Sequence, residues 1–384
     1  NKSLIFMIKF KTHETIVSIS KRKWEKCSGN ENPFLGYDFL WCLEKSNSVG
    51  QNKGWIPNYI SLEEDNNIIA VIPLYIKLHS QGEYVFDHSW AHLYQSAGGQ
   101  YYPKLQVSIP FSPIAGNRIL INKQYEKFRK KEIIRFAGKV IVEKTRTFNF
   151  SSAHITFCTN HEAKILTDIG FLHRIGEQFH WQNSDYIDFN DFLTSLSSRK
   201  RKSINKERKY IKNCNIQILK KTGADISDSD WDHMFLFYQN TSDKKWGNAY
   251  LNRKFFDLLS KKLNDKILLI LAKEKGNIVA GALHIIGSNT LFGRYWGSFK
   301  NIKYLHFELC YYQAIEWAIE NNINFVEGGA QGLHKVQRGY LPVQTNSLHY
   351  IKNDSFKNAV ENFLNEESSI IDKDIAFIKN SYSP

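Results

Sequence analysis

The sequence predicts a mixed α/β (α+β) protein built from two tandem lobes, each a mixed sheet flanked by helices, with a helix closing the chain. Two observations carry this expectation. Segments with alternating apolar residues are interleaved with segments of helical period, which favours a mixed sheet with helices over a sandwich or a bundle. The order hairpin, long helix, strand also occurs twice along the chain. At 384 residues, with 42% hydrophobic, 14% aromatic and 23% charged residues, the chain is long and apolar enough to give each lobe a core, and the composition excludes disordered, fibrous and disulfide-scaffold classes.

In the first half, Tyr59 to Leu62 and Ile68 to Ile76 read as strands joined by the polar turn Glu64-Asp65-Asn66-Asn67. Between Lys123 and Lys144, Phe128, Ile133, Ile134, Phe136, Ala137, Val140 and Ile141 recur at helical spacing. A strand follows at Ala153 to Cys158, then a short helix with Asn160 as N-cap and Gly170 past its end, then a strand from Phe171 to Trp181. In the second half, strands are expected at Ile216 to Lys220, Lys266 to Lys273, Ile278 to Ile286, Thr290 to Trp296, Ile323 to Glu327 and Leu348 to Ile351. Helices are expected at Ser229 to Asn240, Arg253 to Leu263, Leu305 to Asn321 and Phe356 to Asn380. A link near Asn183 to Asp185 divides the chain into lobes 1–183 and 184–352, with a terminal helix at 353–384.

The longest apolar run, Ile68 to Ile76, is interrupted by Pro73 and falls well short of the ~20 residues of a membrane helix. The opening NKSLIFMIKF is broken by Lys9 and has no small-residue cleavage site after it, so it does not read as a secretory signal; because the sequence begins at Asn1, a leader upstream of it stays open. Five widely spaced cysteines, Cys27, Cys42, Cys158, Cys214 and Cys310, argue against a zinc site or disulfide framework and point to a reducing, cytoplasmic compartment. The formal charge of +13 suits an anionic partner, and equally a solvated basic surface.

That charge is densest in SSRKRKSINKERKYIKN, residues 197–213. On a helix Lys202, Lys206 and Lys209 fall on one face, and with Arg201 they form a stripe able to hold phosphates. The segment FDHSWAHLYQSAGG and YYPKLQVSIPFSP, with Trp90, Tyr101, Tyr102, Lys104 and Phe111, reads either as a ligand platform or as a loop packed over the core. Asp87, His88 and His92 lack a clear further ligand, so no metal is expected. Neither a Walker sequence nor a GxSxG elbow is present, which leaves nucleotide hydrolysis and α/β-hydrolase chemistry without a carrier. The block FVEGGAQGLHKVQRGYLP, residues 325–342, leaves a strand at Glu327, turns on glycines and presents His334, Lys335 and Arg338. A glycine-rich strand exit followed by cations suits a carboxylate, a phosphate or a developing oxyanion.

The strings NPFLGYDFL, GEYVFD, YYPKLQ, PFSPIAG, FHWQN, SSRKRK and GGAQGLHKVQRGYLP, spread over residues 25–351, resemble the bacterial peptidoglycan biosynthesis or recognition proteins of the GNAT acyltransferase superfamily. More distantly, the second half resembles the Fem-type aminoacyltransferases. The resemblance implies two GNAT-like lobes and transfer of an acyl or aminoacyl group to an amine. The donor would be acyl-CoA or aminoacyl-tRNA, with no permanently bound cofactor. The acceptor would be a lipid-linked muropeptide, placing the protein in the cytoplasm at the inner membrane face. Arg201-Lys202-Ser203-Ile204 is similar to a Fem helix pattern that supplies cations. Val336-Gln337-Arg338-Gly339-Tyr340 stands where Phe-Lys-x-Gly-Phe is typical, with Gln337 in the lysine position and Lys335 the nearest amine. Arg294-Tyr295-Trp296-Gly297-Ser298 comes nearest to the GNAT pyrophosphate loop. The expected roles are therefore Glu327 or Asp87 as proton acceptor, Lys335 and Arg338 on an oxyanion or phosphate, and Arg201, Lys202 and Lys206 on the anionic substrate, with Tyr101, Tyr102, Lys104, His334 and Arg294 lining substrate. The competing expectations are a GNAT-derived module that binds cell-wall precursor or RNA without chemistry, and a plain nucleic-acid-binding protein.

Overall fold

The structure, a computed structural model, describes residues 8–246, 249–330 and 332–382. The apolar start of the opening segment and Gln331 of the glycine-rich block lie outside them. The chain divides into two compact units, Asn1–Gly176 with Gln344–Asp372, and Glu177–Val343 with Lys373–Pro384.

The first unit contains β1 (Lys9–His13), α1 (Lys21–Ser28), α2 (Tyr37–Lys45), β2 (Trp55–Pro57), β3 (Tyr59–Glu64), β4 (Asn67–Ile72), β5 (Leu74–Lys77), α3 (His88–Ser96), β6 (Lys104–Val107), β7 (Leu120–Ile121), α4 (Lys127–Thr147), β8 (Ser152–Cys158) and α5 (Asn160–Thr167). One sheet has the order β1-β3-β4-β7, and a second runs β2-β5-β6-β8. Pro73 separates β4 from β5, so the single long strand expected from Ile68 to Ile76 becomes two, one in each sheet. A proline cannot donate to the ladder, which is why the chain changes partners there.

Helices α4 and α5 cover the apolar face of these strands through Ile133, Ile134, Ala137, Val140, Ile141, Ile165 and Leu166. Gly138 makes the α4–α5 approach close: a Cβ there would stand 2.4 Å from Leu166 and 2.6 Å from Ile169. The N-cap of α5 is Thr159 rather than the expected Asn160. Its side chain accepts from the backbone of Glu162, whose own side chain accepts from Thr159 N, forming a capping box. The Glu162 carboxylate also accepts from Arg118 N and Ile119 N, so one side chain fixes a helix start and an adjacent loop.

The chain enters the second unit within β9 (Leu172–Gln182). It continues through α6 (Phe189–Ser195), α7 (Ser198–Asn213), β10 (Ile216–Thr222), α8 (Asp228–Trp246), α9 (Arg253–Lys262), β11 (Ile267–Glu274), β12 (Asn277–Ile286), β13 (Thr290–Ser298), α10 (Leu305–Phe307), α11 (Gln313–Glu320) and β14 (Phe325–Glu327). Strands β10 to β13 are successively antiparallel, β14 joins β13 in parallel, and the end of β9 pairs with β14. On one face Ile204 and Ile211 of α7 and Ala314, Ile315 and Ala318 of α11 share a core with Leu268, Ile270, Ala280 and Ala282. On α8, Phe237 approaches so closely that a Cβ on Gly297 would stand 2.1 Å from its carbonyl oxygen.

The chain returns through β15 (Leu341–Ile351) to α12 (Asp354–Tyr382). Residues 346–351 pair antiparallel with β8. That pairing is why residues 344–372 group with the first unit, a division that differs from the linear 1–183, 184–352 and 353–384. Among the described residues no helix is long and apolar enough to cross a membrane, and no group of three His, Cys, Asp or Glu side chains is placed to hold a metal.

Candidate functional site

In the second unit the parallel pair β13/β14 is short. It holds from Thr290↔Phe325 to Phe292↔Glu327, after which β14 ends while β13 runs on to Ser298. At the same point β13 carries a bulge: His284 pairs with Gly293 and Leu283 with Tyr295, leaving Arg294 as the extra residue. A bulge beside the end of a partner strand re-aims side chains and opens unpaired backbone, the arrangement found next to many active sites.

Glu327 lies at that divergence, directly across from His180 of β9, with His180 Nε2 3.9 Å from Glu327 Oε1. Burial, then the nearby Lys335, lowers the His180 pKa to about 4, so its imidazole is neutral at pH 7 and shares a hydrogen bond through Nε2 with Gln178 Oε1 at 3.2 Å. Beyond Glu327 the chain turns through Gly328, whose N–H donates to Phe179 O (2.9 Å), and Gly329, whose carbonyl accepts from Phe179 N (3.1 Å). The positive φ of Gly329 (+78°) makes this turn accessible to glycine. Buried Lys335 donates to Gly329 O at 3.1 Å.

The wall nearby is aromatic. Tyr311 OH and His334 Nε2 are 3.1 Å apart, and the rings of Trp296, His306, Phe307 and Tyr311 are in serial contact. A π-helical turn at Glu308–Tyr312 sits in this wall; such turns interrupt regular helices often at functional sites. Glu327, Lys335 and His334 thus belong to the strand exit and block that follow β14, while Arg294 is placed beside it only as the bulge residue of β13, with its guanidinium 5.4 Å from the Tyr295 ring. The sequence reading missed His180, although the string FHWQN holds it; a histidine opposite an acidic residue requires knowing the β9/β14 register.

The basic helix forms as expected but divides its residues. Its inward face carries Lys200, Ile204, Glu207 and Ile211. Arg201 points back at the end of α6, within 3.5 Å of the carbonyls of Leu193 and Leu196, while Lys202 is exposed. Lys206 and Lys209 line a cleft of ≈ 430 Å³ with Tyr210, Lys303 and Tyr304. Tyr210 and Tyr304 meet edge to face at 5.5 Å, and Lys303 Nζ stands 5.0 Å over the Tyr304 ring. Lysines around paired tyrosines suit a phosphate attached to a planar group.

Two expected roles are not met. Arg338 is buried and its Nη2 bonds both oxygens of Glu207, at 2.7 and 2.9 Å, while Nη1 donates to His334 O at 2.6 Å. Its guanidinium also lies 3.5 Å from the Phe307 ring centroid. With two nitrogens committed, Arg338 ties the glycine-rich block to α7 instead of presenting a charge to substrate. Asp87 is buried in the first unit beside Lys104 (2.5 Å) and accepts from Tyr101 OH at 2.7 Å. Burial raises its pKa, but Lys104 and then His154 outweigh that and hold the carboxyl well below its usual range. A carboxylate so stabilised in its ionised form is a poor proton acceptor. Tyr102, half-buried, is hydrogen-bonded to Ser80 at 2.7 Å.

The family model FemAB_like, described as peptidoglycan biosynthesis/recognition, matches residues 15–384. The chain belongs to this family. Among solved structures, this Fem-like chain is similar to FemX, at 12% identity and TM-score 0.57, over 92% of this chain and 100% of that one. It is similar to L-PGS from Bacillus licheniformis at 13% identity and TM-score 0.50, over 87% and 98% of the two chains. The C-terminal domain of a putative lysylphosphatidylglycerol synthetase from Agrobacterium fabrum gives 8% identity and TM-score 0.54, over 91% and 96%. No curated protein matches the sequence. These likenesses show that this Fem-like chain shares the fold of those proteins.

Proposed function

We propose that this Fem-like protein is an acyl- or aminoacyltransferase that moves an acyl group from an anionic donor, aminoacyl-tRNA or acyl-CoA, to an amine on a cell-wall precursor. The observation that carries the reading is the Glu327–His180 pair where β13 and β14 diverge. An attacking ammonium must lose a proton before it is a nucleophile, and the Glu327 carboxylate, 3.9 Å from His180, is the acceptor this reading assigns. The Lys335 ammonium, which donates to Gly329 O close beyond Glu327, is the local donor this reading assigns to a developing oxyanion. The Lys206/Lys209/Lys303 cleft supplies cations for the donor's phosphates. Family membership supports the chemical class, and the names of the similar structures support aminoacyl transfer in particular.

The test is a transfer assay with radiolabelled aminoacyl-tRNAs and acyl-CoAs against lipid-linked muropeptide. Glu327→Gln is expected to lower kcat by ~10²-fold or more at unchanged donor affinity. Turnover at the wild-type rate in that variant removes Glu327 from the mechanism. The absence of turnover with every donor, alongside retained binding of precursor, favours the non-catalytic module.

A further inference from the structure

The net charge is not spread evenly over the chain. Helix α4 holds eight Lys or Arg against two Glu, and α7 holds eight against one, so these two helices carry the whole formal charge of +13 and the rest of the sequence is balanced. Residue usage alone would leave the excess on every surface. The lysines of α7 line a cleft with a proposed role, whereas those of α4, in the first unit, have none.

The excess on α4 is densest at its start, Lys127-Phe128-Arg129-Lys130-Lys131. No acidic residue lies in the first turn, although the helix dipole favours anions there, and Lys127 and Lys131 are a like-charge pair at i, i+4. Both features cost helix stability, so the helix itself does not require this string. Arg129 is bonded to Glu64 and Glu132. Lys127, Lys130 and Lys131 have no ion-pair partner among the described residues, and Lys127 and Lys131 are exposed. Phe128 stands among them, 75% exposed. The edge strand β1 brings a second such pair to the same end of the unit. Its Lys9 pairs in register with Glu63, next to the Glu64 that holds Arg129, and both Lys9 and Phe10 are exposed, Phe10 at 41%.

We propose that this end of the first unit, Lys127, Phe128, Lys130 and Lys131 of α4 with Lys9 and Phe10 of β1, docks the protein on an anionic bilayer surface. Two needs have to be met together there. Cations without partners are stabilised by a field of negative charge, and exposed phenylalanines by an apolar medium. An anionic bilayer supplies both within one side-chain length, headgroup phosphates outside and acyl chains beneath. A polynucleotide supplies the charge but takes up a phenyl ring only where a base is unstacked to meet it. The docking stands independently of the transferase reading, since its residues lie in the first unit and its test reads partitioning, not turnover.

The experiment measures sedimentation of the full chain with sucrose-loaded vesicles, made of phosphatidylcholine alone or with part of it replaced by phosphatidylglycerol. Binding is expected to the anionic vesicles alone and is expected to fall as salt rises. Changing Lys127, Lys130 and Lys131 together to Gln is expected to lower the partition coefficient ~10²-fold at low salt, since each lysine near an anionic leaflet contributes about fivefold. Phe128→Ser is expected to lower it several-fold with the salt dependence unchanged, because apolar contact is lost and charge is not. These side chains reach the surface, so the variants are expected to fold, which far-UV circular dichroism checks. Changing Lys206, Lys209 and Lys303 together to Gln removes as much charge from α7 and its cleft, and is expected to leave most of the partitioning in place. No binding to either vesicle, equal binding to both, an α7 loss as large as the α4 loss, or an unchanged partition coefficient for folded Phe128→Ser overturns the proposal. So does an α4 variant that keeps the vesicles while losing a single-stranded oligonucleotide, which assigns the face to nucleic acid.

Discussion

Replacing Arg338 by Met tests whether this side chain is an internal tie or a substrate contact. In the structure the guanidinium makes two bonds to Glu207, one to the His334 carbonyl, and stacks on Phe307. Methionine keeps most of the apolar stem and removes the charge, leaving a buried carboxylate whose remaining side-chain donors are Tyr312 OH and Ser203 OH. Breaking one partner of a buried ion pair costs ~3–5 kcal/mol. With a urea m-value of ~2 kcal/mol/M, a loss of ~4 kcal/mol lowers the midpoint of the affected transition by ~2 M. Adding Glu207→Leu removes the orphaned charge, so the double variant is expected to recover at least ~2 kcal/mol, although Tyr312 then loses its acceptor. The assay is urea unfolding followed by far-UV circular dichroism, run beside donor binding. An Arg338→Met protein within ~1 kcal/mol of wild type, yet unable to bind donor, would refute the structural assignment and return Arg338 to the substrate.

Gly297→Ala is expected to destabilise the second unit by ~1–3 kcal/mol or more, measured in the same unfolding assay, because the added Cβ would sit 2.1 Å from the Phe237 carbonyl oxygen and the backbone of α8 must move. Burial lowers His180 and His284 to about 4, so the unfolded chain takes up protons that the folded chain refuses. Stability present above the unfolded pKa of ~6.5 is therefore lost as pH falls toward 4, by up to ~3 kcal/mol per histidine, and His284→Asn should flatten that slope in unfolding series at pH 7, 5.5 and 4.5. If the cleft holds single-stranded phosphates, changing Lys206, Lys209 and Lys303 together to Ala lowers the slope of log affinity against log salt by ~2, read by titrating labelled aminoacyl-tRNA at several salt concentrations.

Most of the fold is legible in the sequence because its elements carry strong local patterns. Continuous apolar runs mark β11 and β12 around the turn at Lys275-Gly276, and the inward set of α4 follows helical spacing. What is not legible is non-local. Residues 341–347 carry polar groups through Gln344, Thr345, Asn346 and Ser347 and have little apolar alternation, yet they form most of β15, in continuity with the end at residues 346–351 that pairs with β8. The two-unit division follows from that pairing, and no composition shift announces it.

The site shows the same boundary between local and non-local information. Glu327, Lys335 and His334 are found by reading one glycine-rich block, because contiguity in sequence keeps them together. His180 comes from a strand more than a hundred residues earlier, and only the pairing of β9 with β14 sets it opposite Glu327. Residue type alone also misassigned Arg338 and Asp87. Each is a charged residue in a glycine-punctuated segment, and each turns out to face an opposite charge, Glu207 in one case and Lys104 in the other. An ion needs either water or a partner, and the sequence shows the ion without showing which of the two it has. The distinction matters for function: a charge already paired inside the protein holds loops in place, whereas the lysines of the α7 cleft are exposed and set around tyrosines, which is why the proposed function gives them the donor's phosphates.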